Sequence, residues 1–259
     1  AADRILALLR KYNLPMHLQL DPPLDMPPDW LTAKYPGRTV LTDAEGKPIE
    51  ANMPNRNYLM GGTPDRRAKL QYVNVFDPDV ARAHADYVKA LIGHIQGSGV
   101  PIFSVQLGNP VQFDNPFPRH AGPDADARLR DYLRKRGIDP RKSWSVDAEP
   151  GQVSLSPAWM KAAEESAKPG SPAFKRMKND VLGWQEEEHF QYMKARVEAV
   201  RAAAPELPIC VNAVGPFEFN DSIGGRHDYR LVQELGVVPY DYSGRNHLDD
   251  ARRSLSPIA

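Results

Sequence analysis

The chain predicts an α/β fold of the (β/α)8 barrel type, present as an incomplete barrel. Three observations predict it. Short apolar strands alternate with helices, a pattern that makes a parallel sheet with right-handed crossovers. Each strand ends on Asp or Asn and runs into a loop, and the strand-to-helix loops are the long ones, as in barrels whose working loops share one end. No Gly-x-Gly-x-x-Gly or Walker-type loop follows any strand, which disfavours a nucleotide-binding open sheet.

Residues 3–13 read as a helix, with Ile5, Leu8, Leu9 and Tyr12 at i, i+3, i+4 and i+7 as its inward side. Leu14 to Leu20 is a first strand, stopped by Asp21-Pro22-Pro23. Residues 22–76 form a long excursion rich in Pro, Gly and Asn, with one helical turn around Asp29 to Lys34. Asp77-Pro78 is an N-cap followed by proline at the first helical position. The helix it opens runs to about Ile95, with Val80, Tyr87, Leu91 and Ile95 on one side.

Ile102 to Leu107 is a second strand, ending at Gly108-Asn109-Pro110. A polar helix over residues 125–136 turns Leu129, Tyr132 and Leu133 inward, and residues 137–172 are loop-dominated apart from a helix near Pro157 to Ala167. A long helix over 173–204 repeats Phe190, Met193, Val197 and Val200 on one face and stops at Pro205. Ile209 to Val214 is the third strand; Tyr229 to Leu235 is a helix ended by Gly236; Val237 to Tyr242 is the fourth strand. The strands read as covered on both faces. The whole of 1–259 is expected to be a single domain. A closed eight-stranded barrel needs four strands more than these, and the opening Ala1-Ala2-Asp3-Arg4 fits a processed or partial chain.

Composition narrows the function. Thirty-three basic and 33 acidic residues balance to zero net charge, so nucleic acid is a poor partner while a neutral ligand is permitted. No stretch has the length and apolarity of a membrane span. The single cysteine, Cys210, excludes an internal disulfide and a cysteine-rich zinc site. It reads as a small buried hydrophobe and is compatible with the cytoplasm. No metal constellation stands out among the seven histidines, so neither a metal nor another cofactor is expected. His17, inside a strand, reads as a satisfied core histidine or as a group facing the barrel interior.

The four strand tips, Asp21, Asn109, Asn212 and Asp241, are expected to converge on one rim, because parallel strands present their C-terminal ends together. Trp30 and Trp144 are candidate platforms for the flat C–H faces of a sugar. Glu186, Glu187 and Glu188 read as a solvated helix start favoured by the helix dipole.

Residues 14–36 resemble the segment after the third barrel strand of family 42 glycoside hydrolases, through Pro27-Pro28-Asp29-Trp30-Leu31 and Lys34-Tyr35-Pro36. An acidic turn, Asp43-Ala44-Glu45-Gly46, and the Asp77-Pro78 helix continue the likeness. Gln106 and Asn109 resemble the family's Gln-x-x-Asn-Glu motif, and Val237-Val238-Pro239-Tyr240-Asp241 resembles the end of its sixth strand. The resemblance implies that this chain carries about strands 3 to 6 of a retaining β-galactosidase-like barrel. It also implies that Asn109 binds a sugar 2-hydroxyl; the strand tips Asp21, Asn212 and Asp241 and the platform Trp30 are expected to line the pocket.

Such enzymes hold two carboxyl groups roughly 5 Å apart across the glycosidic bond. Here the residue after Asn109 is Pro110, which has no proton to give. Asp114, four positions on, and Glu218, between Phe217 and Phe219, are the substitute acids to consider. The expected partner is an oligosaccharide or polysaccharide, and unpaired strand edges favour a homo-oligomer. A non-catalytic carbohydrate-binding relative, or a barrel lyase or isomerase, are the alternatives.

Overall fold

In a computed structural model, the described residues are 2–20, 29–39, 42, 46–48, 74, 76–107, 123–212 and 224–240. The element order is α1 (Ala2–Lys11), β1 (Met16–Leu20), α2 (Asp29–Lys34), α3 (Pro78–Gly97), β2 (Ile102–Leu107), α4 (Pro123–Lys135) and α5 (Pro140–Ser143). A 3-10 turn (Pro150–Gln152) follows, then α6 (Pro157–Ala167), α7 (Pro172–Ala203), β3 (Ile209–Asn212), α8 (Gly224–Leu235) and β4 (Val238–Tyr240).

The four strands form one sheet in the order β1-β2-β3-β4, every pair parallel. The order never reverses, so the sheet has no switch point of the doubly wound kind. The helices decide the architecture. One core joins Val80, Val88 and Ile92 of α3, Phe190, Met193, Val197 and Val200 of α7 and Leu231 of α8. The same core takes in Leu20, Val105, Leu107, Ile209 and Val211 from the strands. Helices α3, α7 and α8 therefore lie side by side on one face of the sheet, which is the winding of a barrel wall.

The strands correct the expectation of two covered faces. Leu18 and Leu20 pack against the core, whereas His17 and Gln19 between them are exposed. In register with them, Val105 and Leu107 pair with Leu18 and Leu20, and Ser104 and Gln106 with His17 and Gln19. Cys210 pairs with Gln106 in turn. Period-two alternation thus gives one apolar, helix-covered face and one polar face. A register shift between Met16 and His17 adds Phe103 to the polar side as an extra residue, where it stays exposed.

A second core lies apart from the sheet. Leu129 and Leu133 of α4, Trp144, Met160 of α6, and Met177, Val181 and Trp184 of α7 close around one another. The segment expected to be loop-dominated is thus a small helical layer. Helix α7, begun by the Ser171 cap and Pro172, serves both cores: its first half belongs to the helical layer and its second to the barrel wall.

Two helix faces differ from their sequence reading. On α1, Leu6 and Leu9 pack towards Ile95 and Val100 while Ile5, Leu8 and Tyr12 stay exposed. On α3 the buried line is Val80, His84, Val88, Ile92 and Ile95, leaving Tyr87 exposed. The Asp77 cap is as expected: its carboxylate accepts from the amides of Asp79 and Val80. It also takes a two-pronged pair from Arg38, at 2.8 Å on each oxygen. Among the described residues no helix is long and apolar enough to cross a membrane.

Candidate functional site

The register puts the C-terminal ends of all four strands at one edge: Leu20 pairs with Leu107, and Asn212 with Tyr240. That edge, together with the polar face beneath it, is the candidate site. Asn212 is the last residue of β3. The other tip residues, Asp21, Asn109 and Asp241, and the candidate acids Asp114 and Glu218 lie outside the described residues.

On the polar face, His17 ties two strands together. Its Nδ1 lies 2.7 Å from Ser104 Oγ, and its Nε2 lies 3.1 Å from Gln106 Oε1. A carbonyl oxygen only accepts, so Nε2 carries the proton and Nδ1 accepts from the Ser104 hydroxyl. This polarity orients the Gln106 amide. Gln106, only 1% exposed, is one residue from the end of β2, so it stands near the rim. His17 and Ser104 stand three residues below the strand ends, about 10 Å down, and act as supports. Cys210 sits in the same row; its thiol donates to the Val105 carbonyl at 3.5 Å, and burial pushes its pKa up. It is half-buried, with a hydrogen bond of its own, where the sequence reading had a buried hydrophobe.

Beside the exposed Phe103, the described side chains of this face, His17, Gln19, Ser104, Gln106 and Cys210, carry no carboxylate. They supply neutral donors and acceptors, the chemistry that matches hydroxyl groups. His17 is an exposed, bonded group facing away from the helices, and its reading as a core histidine is corrected accordingly. Among the described residues no cluster of His, Cys, Asp or Glu could hold a metal ion.

The tryptophans divide. Trp144 is no sugar platform: it is 0% exposed, and its indole N–H donates to Asp180 at 2.7 Å inside the helical layer. Trp30 is 42% exposed on α2, but its ring leans on Tyr87 of α3 at 6.0 Å. It belongs to the helix layer, away from the strand face.

The glutamate run also differs from its reading. Glu186, Glu187 and Glu188 fall in the middle of α7, between the two cores. Glu188 pairs with Arg128 of α4 at 2.5 Å, and Glu187 with Arg230 of α8 at 2.8 Å. Arg230 also stacks on Phe190, 3.6 Å from the ring centre. Burial raises the Glu188 pKa, with Arg128 acting against it. Burial would raise Glu187 too, but hydrogen bonds from Gln191 and Arg230 hold it below the usual range. These carboxylates lace α4, α7 and α8 together. A run of three acids reads as a solvated patch; only the two arginines, distant in sequence, show otherwise.

Solved structures share this fold. A β-galactosidase from the Antarctic haloarchaeon Halorubrum lacusprofundi superposes with a TM-score of 0.61 at 15% identity, over 93% of this chain and 32% of its own. One from the psychrophilic Marinomonas ef1 gives 0.60 at 15%, over 93% and 33%. A family 42 β-galactosidase from G. stearothermophilus gives 0.57 at 12%, over 85% and 28%. The fold is a TIM-barrel segment. The chain spans about a third of the length of these structures, and at such identities the likeness concerns fold alone. No family model and no curated protein matches the sequence.

Proposed function

We propose that this barrel segment handles carbohydrate, binding a β-linked galactoside or related oligosaccharide across the strand ends. The observation that carries this reading is the one-sided sheet. A singly wound parallel wall turns a row of neutral hydrogen-bonding side chains away from its helices, up to the edge where all four strands stop. Likeness to three β-galactosidase folds supports the same choice of ligand. In this reading Gln106, oriented by His17, serves the sugar together with Asn109, three positions later in the chain, which holds the 2-hydroxyl. Asp21, Asn212 and Asp241 complete the pocket.

Hydrolysis needs an acid to protonate the leaving oxygen and a carboxylate on the other side of the sugar. Asp114 and Glu218 are the proposed acids, since Pro110 stands where the family motif has Glu. The same Pro110 favours a second reading, binding without turnover. Chromogenic β-galactosides separate the two readings, because release of aglycone shows catalysis. Thermal stabilisation by galactose or lactose with no release shows a binding protein. If neither sugar is cleaved or raises Tm, carbohydrate handling is wrong.

A further inference from the structure

The wall of strands and helices is half of a closed barrel, and it has two edges. Its four strands lie in one parallel sheet with β1 and β4 outermost; among the described residues, no strand pairs with their outer sides. Helices α1, α3, α7 and α8 immediately precede β1, β2, β3 and β4 in turn. A closed barrel has eight strands and eight such helices.

Apolar side chains are exposed where closure would bury them. On α1, Asp3 and Arg10 line a groove against His94 and Gly97 of α3. At about 100° per residue, Ile5, Leu8 and Tyr12 fall on the opposite flank, turned away from α3. On α8, Arg230 faces α7 through its pair with Glu187. Val232, two residues on, lies nearly opposite, turned away from α7. Val238 pairs with Cys210 and so stands on the inner face of the sheet, where Phe103 also lies. Of these six, Val232 at 38% is the least exposed and Tyr12 at 61% the most. Ten large hydrophobics are exposed among the described residues, so most of them gather on the two edges and the inner face.

The two edges match each other. One offers the outer side of β1 and the apolar flank of α1, the other the outer side of β4 and the apolar flank of α8. Within the chain, α1 packs beside α3 through Leu6 and Leu9, and α3, α7 and α8 share one core. A second copy's α1 set beside α8 continues this helix row, and its β1 set beside β4 continues the parallel ladder. We propose that two copies of this chain close into one eight-stranded barrel, with β1 of each beside β4 of the other. A twofold axis along the barrel relates the two seams, so closure at two copies leaves no edge. Phe103 and Val238 of both copies then help to fill the interior, as side chains do in a barrel of eight strands. The rim of strand ends is enclosed only in the pair, whichever ligand it takes, so the proposal does not depend on sugar binding.

Sedimentation equilibrium of the full chain from about 1 to 100 μM should give twice the 28.9 kDa of one copy. Leu8→Glu and Val232→Glu, both at exposed positions, should each raise the dissociation constant at least about tenfold with the far-ultraviolet circular dichroism unchanged. The mass of a single copy throughout that range overturns the proposal. A pair that Leu8→Glu breaks and Val232→Glu leaves intact is an α1-to-α1 contact and overturns it too. So does a mass that keeps growing with concentration, which is an open array. Hydrogen exchange on the unaltered chain needs no variant. At about 100 μM the β1 amides turned away from β2 should exchange at least tenfold more slowly than in an unfolded chain, and unprotected amides there count against closure.

Discussion

Lowering the pH from 6.5 to 4.5 should cost the folded chain about 2–3 kcal/mol through His84 alone. Burial is the main reason that its pKa falls from 6.5 to about 3, with the Arg196 charge second. Between those values the unfolded chain binds a proton that the folded chain refuses. Stability is therefore full above pH 6.5, falls as the pH drops through that value, and stops falling near pH 3. Each pH unit inside the window is worth about 1.4 kcal/mol, which gives the range above over two units. His84→Leu removes the titration while keeping an apolar side chain among the residues of α3 and α7 that surround it. Urea unfolding of both proteins at pH 6.5, 5.5 and 4.5 isolates the effect from every other titrating group. The variant should gain on the parent by those 2–3 kcal/mol across the series. Parallel curves for the two proteins, within about 0.5 kcal/mol, would refute the reasoning, because His84 would then be protonated or solvated in the native state.

Other perturbations follow from the same contacts. Asp77→Ala removes the α3 cap together with the Arg38 pair and should lower stability by about 1–2 kcal/mol in urea unfolding; Asp77→Asn, which can still cap, should lose less. Trp144→Ala should cost about 3–5 kcal/mol, and the damage should fall on the helical layer. Hydrogen exchange should accelerate across residues 125–184 before it does in β1 to β3. Glu188→Gln should change stability by under about 1 kcal/mol, because the Arg128 pair is partly solvated and the carboxylate is already disfavoured by burial. His17→Ala should weaken galactoside affinity severalfold with little loss of Tm, by removing the bond that His17 makes to the Gln106 amide; titration calorimetry reads the first and a melting curve the second.

Much of the wall was legible in the sequence, for physical reasons. Pro78 after Asp77, and Ser171-Pro172, are strong local start signals, and both helices begin there. The α7 spacing of Phe190, Met193, Val197 and Val200 is unambiguous because only one of its faces is apolar in that stretch. The errors came where two faces competed. Helix α1 carries Ile5, Leu6, Leu8 and Leu9 in succession, so periodicity alone does not select the Leu6 and Leu9 side. On α3 the buried line runs through a histidine, a residue usually found at intermediate exposure, and the nearby tyrosine drew the predicted face towards itself. In β2, Phe103 sits at a register shift, so Ile102-Phe103-Ser104-Val105 does not alternate cleanly and reads as a buried run. Two tryptophans, Trp144 and Trp184, hold the core of the helical layer. That layer has no sequence signature, because its partners come from four separate helical segments, and periodicity does not reveal their mutual packing.

For the site, parallel order and a common strand edge followed from alternation. The hydrogen-bonded row of His17, Ser104 and Gln106 did not, since it depends on the relative register of two strands more than 80 residues apart.

The proposal of carbohydrate handling rests on the polar face and the strand edge above it. Amide chemical shifts recorded during a galactose titration test it most directly. The account predicts that the largest changes gather at Gln19, Leu20, Gln106, Leu107 and Asn212, with α1 unmoved. Changes concentrated instead in the surface groove between Asp3, Arg10, His94 and Ser98, or no change at saturating sugar, would contradict it.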